Sequence, residues 1–218
     1  MSDAARTTTT PAWVWGGGLL LASAVVPLVI GAPGLVGGPG IANTLFAWLA
    51  MAAFSAALVI FAFGLGGRGS VVARRPWAVA AMVALAAVGP VMWVVTGILP
   101  YSDSDPQRYL ILGYIDLAVR FVTALATVVA IGRARVVPPP WNWSPAWGLA
   151  AIVAVGVITQ VVGVALGSAP ESQDALSALF GMSGLVSVAV PSLLGILAIV
   201  LGSRAEPRGT VAVYPPPA

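Results

Sequence analysis

The sequence predicts an all-α protein, a polytopic transmembrane bundle of six spans with both termini on the cytoplasmic side. Three observations carry this reading. Of the 218 residues, 59% are apolar and only 8% charged, whereas a soluble domain carries roughly a quarter charged residues to solvate its surface. Apolar runs long enough to cross about 30 Å of hydrocarbon, roughly 20 helical residues each, recur along the whole chain. The runs are continuously apolar, which excludes barrel strands, since those alternate apolar and polar side chains.

The spans follow in order. A polar tail, 1–12, precedes span one at about 13–30. Ala22-Ser23-Ala24 has the small-residue pattern of a signal-peptidase site. The apolar run continues past it to Ile30, however, and only Arg6 precedes it, against Asp3, so the segment reads as a span rather than a cleaved leader. Pro33 and Pro39 break the chain before span two, 41–64. Span three, 77–99, opens on Pro76-Trp77 and stops at Pro100. Span four, 109–132, follows Pro106 and closes on Gly132-Arg133. A stiff connection holding Pro138 to Pro140 and Pro145, with Trp141 and Trp143, leads into span five, 148–167. Span six, 177–202, follows Pro170. The tail 203–218 ends in Tyr214-Pro215-Pro216-Pro217, a short polyproline II segment. The chain therefore reads as one membrane domain, 13–202, between two tails.

Loop charge sets the orientation, because cytoplasmic loops collect Arg and Lys. Arg6, the trio Arg68, Arg74 and Arg75, the pair Arg133 and Arg135, and the pair Arg204 and Arg208 all fall on one side. The other side holds Arg108 with Asp103, Asp105, Glu171 and Asp174. Trp13, Trp15, Trp77, Trp141, Trp143 and Trp147 sit at the arginine-bearing ends, where amphipathic rings favour the headgroup level. A net charge of +3 spread this way marks topology. It forms no basic stripe for nucleic acid, so none is expected as a partner. The composition, with arginine but no lysine and abundant Ala, Gly, Pro and Val, fits a GC-rich bacterial genome and a plasma-membrane location. The expected partners are the lipid bilayer and either a membrane-protein partner or a second copy of the chain.

Pro-x-Trp or Pro-Trp opens spans one, three and five, and Gly-Arg or Gly-x-Arg closes spans two, four and six. The even spacing admits three repeated helical hairpins, related by an axis along the membrane normal. Two spans and a short loop fix the same spacing without any repeat, and this simpler explanation is preferred. In length, span number and orientation the chain resembles the substrate-binding subunits of energy-coupling-factor vitamin transporters. No residue motif carries that resemblance, so it implies no site residues.

Ionisable groups within a span are costly and point to function or to helix orientation. Only span four has them: Asp116 and Arg120, at i and i+4, share one helix face. Each costs about 2.5–3.5 kcal/mol at mid-membrane, and the two together roughly cancel what the apolar residues of the span return, so this face is expected to turn into the bundle or toward water. Tyr114, Gln160 and Thr123 are further candidates for a polar site. Gly163 and Gly167 on span five, and Ser177, Gly181 and Gly184 on span six, offer small-residue faces for close helix packing. Pro27, Pro90 and Pro191 interrupt the backbone bonding of their spans.

The chain has no Cys, no His and no Lys, which removes zinc ligands, most general bases and Schiff-base chemistry. Gly181-Met182-Ser183-Gly184 matches the Gly-x-Ser-Gly pattern of intramembrane serine proteases, but no His is present to activate the serine. No catalysis, cofactor or metal is expected. Two readings remain. The first is a non-catalytic protein acting through helix contacts, as an accessory subunit, scaffold or envelope factor. The second is a small-solute transport or substrate-binding subunit with its polar site around span four. Sparse intramembrane polarity ranks the first ahead, and the second falls if the folded bundle has no polar cavity reaching span four.

Overall fold

The computed structural model describes residues 11–31, 41–66, 69–98, 106–166 and 173–204. Among them are six α-helices and no strand: α1 (Pro11–Gly31), α2 (Ile41–Phe63), α3 (Pro76–Ile98), α4 (Pro106–Ala134), α5 (Ser144–Leu166) and α6 (Gln173–Ser203). A single 3-10 turn, Trp141–Trp143, precedes α5. Each helix coincides with one apolar run of the sequence. Helices α1, α3 and α4 begin on a proline, which suits the first helical position because no partner is needed for an amide there.

Five of the helices hold apolar stretches long enough to cross a membrane: Thr44–Phe63, Pro76–Ile98, Leu110–Ala134, Gln173–Ser203 and, with the 3-10 turn, Trp141–Leu166. Helix α1 contributes a shorter apolar stretch, Pro11–Val26. Many large apolar side chains that line no cavity are exposed, among them Leu110, Val164, Phe180 and Leu185. Apolar helices with an apolar exterior make this a membrane protein.

The helices form a ring. Each packs beside its neighbour in sequence, and α6 returns along α1 to close the circle. The α1–α6 and α1–α2 contacts are the most extensive, and the α4–α5 seam is the thinnest. Glycine permits the tightest approach. A Cβ on Gly17 would stand 2.5 Å from the carbonyl oxygen of Gly195, and one on Gly195 would stand 2.7 Å from that of Gly17. Hairpins α1–α2, α3–α4 and α5–α6 are all present as packed pairs. Their openings differ, however: Trp13 is buried, whereas Trp77 and Trp147 are exposed.

The buried core gathers at one end of the ring. It joins Trp13 and Leu20 of α1, Phe61 of α2, Met82 of α3 and Ile131 of α4 to Val72 and Val137 of the connectors. The α2–α3 connector folds back onto this end. The last carbonyls of a helix lack intrahelical donors, and here three of them receive one. Val71 N–H donates to Phe61 at 2.9 Å, and the Ser70 hydroxyl donates to Ala62 at 2.7 Å. The Arg74 guanidinium donates to Phe63 through Nε and Nη2, at 3.2 and 3.0 Å. A cation at a helix C-terminus also complements the macrodipole. The Trp13 indole N–H completes the closure with a 2.7 Å bond to the Gly69 carbonyl.

Candidate functional site

The ring surrounds an open cavity of about 960 Å³ to which all six helices contribute. A second cavity, of about 330 Å³, lies towards the connector end beside Trp13, Val137 and Trp141. The two share Phe54, Ala124 and Pro191 as walls. Both linings are predominantly apolar.

Asp116 and Arg120 lie in the wall of the larger cavity and are the only charged residues lining either one among the described residues. Arg120 stands at the centre of the 29-residue α4. Its Nε donates to both Asp116 oxygens, at 2.7 and 2.8 Å. The i, i+4 spacing makes this pairing local, with the acid N-terminal to the base as helices favour. The pair is not sealed by the bundle: the side chains remain 47% and 27% exposed for Arg120 and Asp116 respectively.

The hydroxyls around the larger cavity are turned to the backbone. Ser23 donates to the Leu20 carbonyl and Ser55 to that of Ala86, both at 2.7 Å. Thr96 donates to Met92 and Trp93 at 2.9 and 3.0 Å, and Ser187 donates to Ser183 at 2.9 Å. Thr127, in the wall of the smaller cavity, is the exception. Its hydroxyl is buried and has no hydrogen-bond partner among the described residues. It follows Arg120 by seven residues, so α4 carries Asp116, Arg120 and Thr127 down one face. That spacing was the available signal for Thr127, which residue-type reasoning passes over.

The structure brings Asp116 and Arg120 together and leaves the other polar candidates elsewhere. Tyr114 is 69% exposed, because two residues from Asp116 is more than half a turn around the helix. Thr123 bonds the carbonyls of Val119 and Arg120, at 2.7 and 3.1 Å, and lines neither cavity. Gln160 is exposed on α5, two turns beyond the cavity-lining Val153.

The small-residue candidates also separate. Gly163 faces Leu176 of α6 at 3.9 Å, an ordinary contact within the chain. Around Gly181 and Gly184 a Cβ would meet nothing within 4 Å, and Ser177 is exposed. Gly167 lies outside the described residues, as do Asp103, Asp105 and Glu171. The close approaches lie at Gly17 and Gly195, at Gly148, where a Cβ would stand 2.6 Å from Val190 Cγ1, and at Gly16 and Gly132, where one would stand 2.8 Å from the rings of Phe61 and Trp143.

The in-span prolines have distinct settings. Pro90 lies within α3, and Pro191 within α6, where it lines both cavities. The side chain of Pro27 lies outside the described residues. Comparison of the chain with protein-family models, with curated proteins and with solved structures finds no significant match.

Proposed function

We propose that the chain is a non-catalytic, six-span plasma-membrane protein, with both termini cytoplasmic, that binds a small amphiphilic solute for transport or delivery. The observation that carries this is the largely apolar cavity of about 960 Å³ with the Asp116–Arg120 pair in its wall. Binding sites are concave and mostly apolar, with a few polar groups that fix orientation, and this cavity has that composition. Sparse polarity within the spans ranks a purely structural role first; the charged pair of span four in the cavity wall supports the binding role instead. The orientation is supported by Arg74, Arg75, Arg133, Arg135 and Arg204, which all lie at the connector end. A non-catalytic role is supported by the absence of Cys and His.

The test is native mass spectrometry of the full chain after gentle extraction, comparing wild type with Ala124→Trp. Ala124 walls both cavities, so an indole there fills space a ligand needs. A co-purified small ligand in wild type that is lost in Ala124→Trp, at equal folded yield, supports the reading. Ligand-free protein in every preparation, or retention unchanged by Ala124→Trp, would overturn it.

A second reading, an accessory or scaffold protein, is favoured by one observation: Ser177, Gly181 and Gly184 form an uncovered small-residue face on α6. Such faces permit close helix approach in lipid. A reproducible protein partner or self-association that Gly181→Leu abolishes would support it.

A further inference from the structure

We infer that the cavity selects a zwitterionic head group, a cationic nitrogen and an anionic oxygen group on one molecule with an apolar body. This deepens the binding reading above and rests on it. Three observations lead to it.

The first concerns donors. An anionic group in a largely apolar cavity needs hydrogen-bond donors. The hydroxyls of Ser23, Ser55, Thr96 and Ser187 already donate to backbone carbonyls. Arg120 meets Asp116 through Nε alone. Its two terminal nitrogens have no partner among the described residues, and a guanidinium carries five N–H donors in a fixed fork. Together with the indole N–H of Trp93, which lines the same cavity, they are therefore the donors left for a carboxylate or phosphate, and they alone carry charge.

The second concerns acceptors. Each Asp116 oxygen takes one bond from Arg120, whereas an ionised carboxylate offers about four acceptor positions. Ser187 adds to these. Pro191, four residues later, has no N–H to give the Ser187 carbonyl, and no side chain among the described residues takes its place. Ser187 and Pro191 both line the cavity. An ammonium group is thus offered acceptors from α4 and α6.

The third concerns net charge. Asp116 and Arg120 cancel, and no other charged residue lines the cavity among those described. A purely anionic or cationic ligand would leave one uncompensated charge in apolar surroundings, which is costly. A zwitterion set antiparallel to the pair leaves none.

The chemistry is shared by two sources, a zwitterionic lipid head group and a free zwitterionic solute, and the experiment separates them. The full chain in a nonionic maltoside detergent is titrated with lysophosphatidylethanolamine, lysophosphatidylglycerol and monoacylglycerol of equal chain length, read by native mass spectrometry. We expect the zwitterion to bind about ten-fold or more tightly than the other two. In Arg120→Gln this preference is lost. In Asp116→Asn the anionic lysophosphatidylglycerol gains on the zwitterion. Free glycerophosphoethanolamine that displaces the lysolipid identifies a soluble ligand, and failure to displace identifies the lipid; either supports the inference. Equal binding of all three probes, or tightest binding of the anion to wild type, overturns it while leaving the cavity as a binding site. Absence of binding by every probe, with Ala124→Trp no different from wild type, overturns the binding reading itself.

Discussion

Ser55 of α2 donates its hydroxyl proton to the Ala86 carbonyl of α3 across 2.7 Å, and Ala86 is the residue that Pro90, one turn later, leaves without an amide donor. One helix thus repairs a defect in its neighbour, as membrane helices with internal proline require.

Ser55→Ala is expected to destabilise the folded protein by about 1 kcal/mol, the usual worth of one such bond. In a Pro90→Ala background the amide at position 90 returns to the Ala86 carbonyl, so the same serine substitution should cost much less. Thermal unfolding of the four proteins in one detergent measures the coupling. Equal costs in both backgrounds would show that the hydroxyl does not serve this role.

Gly17→Ala and Gly195→Ala should each lower stability by about 1–3 kcal/mol, as overpacking does, because the added methyl meets backbone oxygen. Gly181→Ala should be neutral or stabilising by up to about 1 kcal/mol through reduced chain entropy, since nothing lies within 4 Å of it. Folded yield and melting temperature of the three variants check the contrast.

Trp13→Phe keeps most of the buried ring but loses the bond to the Gly69 carbonyl. The expected cost is about 1 kcal/mol, with faster amide exchange concentrated in the α2–α3 connector. Hydrogen exchange by mass spectrometry locates it; a uniform rise along the chain would contradict the proposed closure.

Because the chain contains no cysteine, single substitutions report sidedness cleanly. Asp103→Cys should react with an impermeant maleimide in intact cells. Ser203→Cys should react only after permeabilisation. The reverse labelling would invert the arginine-based orientation.

Much of this arrangement was legible from residue types alone. Apolar runs and Pro or Gly breaks marked each helix, because a segment in lipid must satisfy its own backbone. The Asp116–Arg120 pair was legible because its geometry is set within one helical turn. Tyr114 and Gln160 did not join it, since which face of a helix lines a cavity depends on its neighbours. Gly17 and Gly195 were missed for a related reason. They are far apart in sequence, and in a chain with 25 glycines a small-residue spacing within one span does not say which face meets another helix. Arg74 read as a charge on a loop; that it also caps α2 follows only from the fold-back of the connector.

The location of the core has a mechanical corollary. Helix α5 contributes no residue to the buried apolar cluster, and its seam with α4 is the thinnest in the ring. Its displacement would leave every contact within that cluster intact. The closed end thus behaves as a fixed frame, and α5 as a stave hung from α6 whose swing would change the width of the chamber without unfastening what holds the barrel together.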